Sequence, residues 1–174
     1  LSALKYVVDA IIVLDDVSTD RSRLVLMQSV LKGLPVELLI NMTGPWKRQE
    51  LRHRQILLYF GRKVAGTHFV LPDYDEIFSA NCATNGLLRR RILELAPGDS
   101  LYVPWVEVWK SVKLQRVLPS DPDMNFLTRR QTIIFADDGR VEYNEQSTGS
   151  RSLSVSNSAV SANASIHVLR CPRT

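Results

Sequence analysis

The chain has 174 residues, of which 45% are hydrophobic and 23% charged, a composition typical of a globular domain with a sizeable core. Lys and Arg number 22 against 18 Asp and Glu, which gives a formal net charge of +4. No apolar run approaches the roughly 18 to 20 residues of a membrane-spanning helix, and no signal-peptide pattern opens the sequence. These properties predict a single domain, residues 1–174, in the cytoplasm, with a peripheral membrane location left open. The basic residues are scattered apart from Arg89-Arg90-Arg91, so no nucleic-acid partner is expected.

The cysteines and the start of the chain give further expectations. Cys82 and Cys171 lie far apart in the sequence and lack metal-ligand spacing, which favours a reduced intracellular protein and leaves one disulfide open. The chain starts at Leu1 rather than Met, and Leu1 to Val8 is predicted to be the end of a helix that runs into a strand. That pattern indicates either a missing preceding segment or a shortened chain.

The first half of the chain alternates apolar strands with helices. Ala10 to Leu14 is a continuous apolar run, as expected for a strand covered on both faces. A helix from Asp20 to Lys32 follows it, with Ser18 or Thr19 as its cap. The next predicted elements are a strand at Val36 to Ile40, a helix at Pro45 to Val64, a strand at Phe69 to Leu71 and a helix at Phe78 to Leu95. This succession predicts an α/β fold with a doubly wound, mostly parallel sheet flanked by helices.

The second half has a different composition and is predicted to be largely irregular. Leu101 to Trp109 and Gln131 to Phe135 resemble strands, with loops rich in Pro and Asp between them. Ser147 to Ser165 is dominated by Ser, Asn and Ala, which favours an irregular stretch. A last short strand, Ser165 to Leu169, carries His167.

Two acidic clusters follow predicted strands. Asp15-Asp16-Val17-Ser18-Thr19-Asp20 follows the first strand, and Asp73-Tyr74-Asp75-Glu76 follows Phe69 to Leu71. Carboxylates at the carboxyl ends of buried strands line the crevice where α/β sheets bind ligands. One or two carboxylates commonly hold Mg²⁺ together with substrate phosphates. The clusters therefore predict a charged ligand held through Mn²⁺ or Mg²⁺, although Asp and Ser in such stretches also serve as turn formers and helix caps.

The two stretches VDAIIVLDDVSTDRS and GTHFVLPDYDEIFSA resemble segments of family 2 glycosyltransferases, which have a GT-A, Rossmann-like fold. Members of that family show a hydrophobic strand followed by Asp-Asp-x-Ser-x-Asp, and later an Asp-x-Asp-Glu segment. The likeness is closest to the branch with a later Trp-containing segment, here LYVPWVEVW, and a late His, here in ASIHVLR. It covers roughly residues 8–108. It implies a nucleotide-sugar half at about residues 1–98 and an acceptor-side, irregular part at about residues 99–174.

The resemblance also implies roles for individual residues. Asp15 and Asp16 would bind the nucleotide, with Asp15 on the base, and Asp73 would lie near the ribose. Asp75 and Asp73 would hold the metal, and His167 would complete its shell, since neutral imidazole is a suitable ligand for Mn²⁺. For His167, an ordinary core or surface position is an equal alternative.

Two further candidates come from the long helix and the Trp segment. Arg54 would make charge-assisted bonds to the diphosphate, with a solvated helix face as its alternative. Glu107 is the candidate general base that deprotonates an acceptor hydroxyl, with the polar face of a strand as its alternative. Trp105 and Trp109 would stack on a sugar ring or belong to the core. The implied reaction is inverting transfer of a sugar from a nucleotide-sugar donor to an unknown saccharide, lipid or protein acceptor.

Two other functions stay open at this point. A metal-dependent phosphohydrolase would need a nearby Lys and a second acidic pair; Asp137-Asp138 is available, but a turn with Gly139 explains it better. A non-catalytic binding module on a decayed glycosyltransferase fold is the third possibility. The first strand of the family would lie before Leu1, and the chain is short for a complete enzyme of this family.

Overall fold

The structure of the chain is a computed structural model that describes residues 4–33, 36–40, 50–72, 76–78, 86–109, 111–115, 130–143, 153–154, 159–161 and 168–170. The helices are α1 (Ser22–Leu31), α2 (Glu50–Lys63) and α3 (Leu87–Leu93), preceded by a 3-10 helix at Leu4–Tyr6. The earlier strands are β1 (Ile11–Asp15), β2 (Val36–Ile40), β3 (His68–Val70), β4 (Glu76–Phe78) and β5 (Ser100–Trp109). The later strands are β6 (Ser111–Gln115), β7 (Arg130–Ala136), β8 (Glu142–Tyr143), β9 (Leu153–Ser154), β10 (Ala159–Ser161) and β11 (Val168–Arg170).

The prediction of a doubly wound, mostly parallel sheet is wrong. Among the described residues, β1 and β2 form a separate parallel two-stranded sheet, and the larger sheet has seven strands with the central order β3-β7-β5-β11-β4. Within it β3 pairs antiparallel with β7, β7 with β5, and β11 with β4. β10 and β11 run parallel to β5, and β6 forms an antiparallel hairpin with it. The larger sheet is therefore mixed and largely antiparallel, and the predicted GT-A, Rossmann-like layer is not its architecture.

β3 illustrates why the sequence pattern did not fix the topology. A short apolar run reports that a strand is covered by neighbours, and it carries no information about the direction of those neighbours. Phe69 of β3 lies opposite Phe135 of β7, and the two rings stack with their centroids 5.3 Å apart. The pairing of β3 is thus decided by contacts with a strand much later in the chain, rather than by the preceding β1 and β2.

β7 lies between two separate hydrophobic cores. Successive side chains of a strand point to opposite faces of its sheet. Accordingly, Ile134 and Ala136 pack in a core with Leu88 and Ile92 of α3, whereas Phe135 packs in another with Leu58 of α2. The side chains of Ile134 and Phe135 are fully buried. The centre of the larger sheet is thus covered by helices on both faces, although its strands are not mostly parallel.

The amino-terminal unit β1-α1-β2 is packed more loosely. The register pairs Ile11 with Val36 and Asp15 with Ile40 in parallel, and α1 connects the two strands and contacts β2. α2 contacts β1. On α1, Leu26 is buried, while Leu24, Val25 and Met27 are all more than half exposed. The local parallel βαβ unit was predicted correctly even though the sheet that it was expected to enter was not.

Two predicted elements of the later chain differ in the structure. The predicted helix Phe78 to Leu95 is wrong at its start, because Phe78 ends β4 and the helix α3 covers only Leu87–Leu93; residues 79–85 lie outside the described parts. The stretch Ser147 to Ser165, predicted to be irregular, contains the short strands β9 and β10. In both places a strand of two or three residues forms through pairing with distant partners, which local composition does not encode.

Candidate functional site

The loop after β1 is built around the buried carboxylate of Asp15. Asp15 is the last residue of β1, and its side chain is 2% exposed. Its Oδ1 accepts a hydrogen bond from the Ser18 backbone N–H at 3.3 Å, and its Oδ2 accepts one from Nε of Arg23 at 2.5 Å. Asp15 therefore closes the loop 16–20 and ties it to the first turn of α1.

The charge of Asp15 is retained despite its burial. Burial acts to raise the pKa of this carboxyl, but the hydrogen bonds from Ser18 and Arg23 and the charge of Arg23 lower it by more. The net effect places the pKa of Asp15 below its ordinary value, so the group is ionised at neutral pH. Arg23 lies on α1 with a side chain that is 38% exposed. Sequence reasoning missed this arginine; the signal for it is a basic residue in the first turn of the helix after an acidic strand end.

The middle of the same loop is strained. Val17, the variable position of Asp-Asp-x-Ser-x-Asp, has a φ of 57° and is 48% exposed. A β-branched residue in this left-handed region costs on the order of 1–3 kcal/mol, and such strain persists where surrounding contacts over-determine it. Here the contacts of Asp15 supply that constraint. The predicted caps Ser18 and Thr19 do not cap α1; instead Oδ1 of Asp20 accepts from the Ser22 N–H at 2.8 Å.

Asp16 and Arg54 are both placed near this unit. Asp16 directly follows β1 and is half-buried. Arg54 lies on α2, also half-buried, and α2 contacts β1. The roles predicted for Asp15, Asp16 and Arg54 in nucleotide binding stay predictions.

The second acidic cluster is described only from its last residue. Asp73 and Asp75 lie outside the described residues, as does His167, so the metal set predicted from them stays a prediction. Glu76 begins β4 and is buried. In the described parts of the chain, no group of three or more His, Cys, Asp or Glu side chains is arranged to hold a metal ion.

The strands that follow these motifs are neighbours in the larger sheet. β4 begins directly after Asp75, and β11 begins directly after His167; the two strands pair antiparallel. β11 also pairs in parallel with β5, where Glu107 lies opposite Arg170. The β4–β11 register is Glu76 with Arg170 and Phe78 with Val168. The first residues of β4 and β11 are therefore at opposite ends of this ladder, about 7 Å apart along the strands.

A third acidic pair, Asp137-Asp138, belongs to a turn. Oδ2 of Asp137 accepts from Nε of Arg62 at 2.7 Å, and Oδ1 accepts from Nη2 at 2.8 Å. Oδ1 also accepts from the Gly139 N–H at 3.1 Å, and Asp138 pairs with Arg140 at 2.8 Å. The predicted turn with Gly139 is confirmed. Its carboxylates are engaged by arginines, which argues against their service as the second acidic pair of a phosphohydrolase.

His53 and His68 lie on α2 and at the start of β3. His53 is 2% exposed within α2. His68 begins β3, with Nδ1 2.9 Å from Oγ1 of Thr67 and Nε2 3.3 Å from the carbonyl oxygen of Leu95. The second contact ties β3 to the residue just beyond α3, so His68 has a structural explanation.

Comparisons with protein-family models, with curated proteins and with solved structures found no match. Among the residues that the structure describes, no helix is both long and apolar enough to cross a membrane.

Proposed function

We propose that this chain binds a nucleotide-sugar with a divalent cation and transfers the sugar to a hydroxyl acceptor. The observation that carries the proposal is the sheet order β5-β11-β4. It makes neighbours of three strands that are distant in the chain: the strand after Asp73-x-Asp75, the strand after His167 and the strand that contains Glu107. The resemblance to family 2 glycosyltransferases rests on the sequence motifs. It implies that these segments contribute to one site.

The loop after β1 supports the nucleotide-binding part of the proposal. β1 and β2 are parallel, and ligands of α/β proteins bind outside the carboxyl ends of such strands. The loop at that end is held in one conformation by a buried, ionised Asp15 and contains the strained Val17. A loop that is fixed before the ligand arrives loses less conformational freedom on binding.

The chemistry of the donor set fits Mn²⁺ or Mg²⁺. Carboxylate oxygens of Asp73 and Asp75 are hard ligands of the kind that both ions take. His167 precedes β11, which starts at the other end of the β4–β11 ladder, so it is not assigned to the same ion. When bound, such a cation offsets the negative charge that develops on a leaving diphosphate. Asp73 and Asp75 would hold the cation, and Glu107 would accept the proton of the acceptor hydroxyl. The acceptor oxygen bonds to the anomeric carbon as the bond from that carbon to the diphosphate breaks and the nucleoside diphosphate leaves.

The test is binding calorimetry with UDP-sugars and GDP-sugars, in Mn²⁺ and in EDTA. We expect binding in Mn²⁺ that weakens at least about tenfold, or about 1.4 kcal/mol, in EDTA and in an Asp75→Ala variant. Asp9→Ala is the matched control, because the Asp9 side chain is 84% exposed and pairs with Arg89 rather than with the loop after β1. The metal assignment would be refuted if the wild type bound equally in Mn²⁺ and in EDTA and if Asp75→Ala and Asp9→Ala in Mn²⁺ had that same affinity.

A non-catalytic binding module is the second candidate, and one observation favours it. The Asp15 carboxylate, assigned to the nucleotide base by the resemblance, is already bonded to Ser18 and Arg23 and is 2% exposed. Release of UDP from a UDP-sugar, measured over hours with and without simple saccharide acceptors, separates the two. Metal-dependent binding with no release above that of Asp75→Ala would favour the binding module.

A further inference from the structure

Arg23 uses its guanidinium differently from Arg62 and Arg89, two other arginines that pair with aspartates. Its Nε donates to Asp15, and the structure records no partner for Nη1 or Nη2 among the residues it describes. The Arg23 side chain is 38% exposed, whereas that of Asp15 is 2% exposed. The inner edge of the guanidinium is therefore fixed by a buried partner, and the outer groups are available to a ligand from solvent.

Arg62 and Arg89, which also pair with aspartates, donate from their outer nitrogens to the fold. Arg62 gives Nε and Nη2 to Asp137 and also Nη2 to the carbonyl of Val141. Arg89 gives Nη1 to the carbonyl of Val7 at 3.0 Å and Nη2 to Asp9 at 2.7 Å. These pairs connect parts of the fold to each other. Arg23 instead has outer donors for which the described residues supply no partner.

We propose that Arg23 is an anion-binding residue, that Asp15 is the positioning residue that holds it, and that the anion is a diphosphate. The choice of diphosphate rests on the proposed nucleotide-sugar function. Two parallel N–H···O bonds from a guanidinium match the oxygens of a phosphate, and an ammonium group does not reproduce that geometry. Because Asp15 restrains the side chain before the ligand arrives, less rotamer freedom is lost on binding.

This assignment changes the role of Asp15. The sequence resemblance gives Asp15 a direct bond to the nucleotide base, but a carboxylate that is 2% exposed and bonded at both oxygens is better placed to hold Arg23. Asp20 is exposed on the same loop and repels an anion that arrives without a cation. The ligand expected at Arg23 is therefore a metal-bound diphosphate.

Calorimetric titration with magnesium pyrophosphate tests the proposal, because this probe contains no base and no sugar. We expect Arg23→Gln to weaken binding at least about tenfold, and Arg23→Lys to restore only part of the loss, because Lys keeps the charge without the paired donors. Asp15→Asn should weaken binding about threefold to tenfold although Arg23 is retained, since the arginine is then no longer held. Arg89→Gln is the matched control and should bind as the wild type does.

Loss of folding is separated from loss of binding by one additional variant. Arg23→Gln leaves the Asp15 carboxylate buried without its counter-charge, so Asp15→Asn/Arg23→Gln removes both charges together. Circular dichroism melting identifies the variants that fold. Wild-type affinity in the folded double variant, equal losses in Arg23→Gln and Arg89→Gln, or no binding of magnesium pyrophosphate to the wild type would each overturn the proposal.

The same titrations distinguish this inference from the proposed function. Arg23-dependent binding of magnesium pyrophosphate, combined with nucleotide-sugar binding that ignores both Mn²⁺ and Asp75→Ala, would uphold the anion-binding role and reject sugar transfer. Metal-dependent nucleotide-sugar binding that is unchanged in Arg23→Gln would support the proposed function and reject the anion-binding role of Arg23.

Discussion

The two arginine–aspartate pairs near the strand ends differ in what they leave unused. Both join an arginine on a helix to a carboxylate that is nearly buried: Asp15 is 2% exposed and Asp137 is 7% exposed. The Arg62–Asp137 pair is bidentate and gains a third bond from the Val141 carbonyl. The Arg23–Asp15 pair uses one guanidinium nitrogen. Arg62 thus joins two segments of the fold, whereas the described residues supply no partner for the outer nitrogens of Arg23.

The two pairs also differ in how tightly the surrounding side chains are packed. The Arg62 pair lies beside the core that contains Leu58 and Phe135, with β7 buried on both faces. The Arg23 pair lies in the β1-α1-β2 unit, where α1 exposes Met27 to 60%. We therefore expect substitutions around Arg62 to change stability strongly, and substitutions around Arg23 to change ligand binding more than stability.

The largest effect is expected in the core beside Arg62. Phe135→Ala removes a side chain with 0% exposure and should destabilise the chain by about 3–5 kcal/mol, through lost burial and a residual cavity. Met27→Ala, on the exposed face of α1, should change stability by less than about 0.5 kcal/mol. Urea unfolding followed by circular dichroism measures both. Similar losses in the two variants would remove the contrast in packing between the regions.

Arg62→Leu tests whether the Arg62–Asp137 ion pair stabilises the fold. The variant leaves the Asp137 carboxylate without its counter-charge, and we expect a loss of about 2–3 kcal/mol, below the value for a fully buried pair because Arg62 is 33% exposed. Arg62→Leu/Asp137→Leu should recover at least half of that loss, since it removes the uncompensated charge. Urea midpoints of the two single variants and the double variant complete the cycle. A loss below 0.5 kcal/mol, about the effect of a surface substitution, would contradict a structural role.

Gly61→Ala probes the close approach of α2 and β3 beside the core that contains Phe135. A Cβ at Gly61 would overlap the Phe69 ring, so either the ring or the helix would have to shift. Overpacking of this kind costs about 1–3 kcal/mol, and the better helix propensity of Ala offsets about 0.5–1 kcal/mol of it. We expect a net destabilisation in thermal melts, and a smaller effect of the same change when Phe69 is already Leu. A rise in the melting temperature, as for an exposed helical glycine, would show that the contact is absent.

The smallest effect is the contribution of each carboxylate to acid stability. The hydrogen bonds from Arg62 hold the pKa of Asp137 below its ordinary value, and burial opposes them. A group with a lowered folded pKa contributes its full stabilisation above its unfolded pKa of about 3.9 and loses it as the pH falls through the folded pKa. The urea midpoint of the wild type should therefore fall on acidification below about pH 4, and that of Asp137→Asn should fall less steeply. Met27→Ala, which changes no titratable group, should keep the wild-type slope; equal slopes in all three proteins would contradict the pairing.

Local features of this chain were predictable from sequence, and long-range ones were not. β2 has the predicted bounds Val36–Ile40, and the parallel β1-α1-β2 unit follows from apolar runs, a helix and short connections. The turn at Gly139 follows from its residue types. The antiparallel pairing of β3 with β7 and the neighbouring positions of β4, β11 and β5 depend on contacts between distant segments. No local period or composition carries that information.

In the candidate site too, a local feature was predictable from sequence and a contact that depends on the path of the loop was not. The position of Asp15 at a strand end was predictable, because a continuous apolar run ends at an acidic residue. Its pairing with Arg23 was not, since several basic residues lie within reach in the sequence and only the path of the loop selects one. The strain at Val17 depends on that same path.

A nuclear magnetic resonance titration of labelled protein with UDP and Mg²⁺ compares the two regions in one experiment. We expect the amide shift changes to concentrate on the loop from Asp16 to Arg23 and on β4. The amide shifts of the turn from Asp137 to Val141 should stay unchanged. An absence of shifts at the loop, or shifts confined to the turn, would contradict a nucleotide site at the carboxyl end of β1.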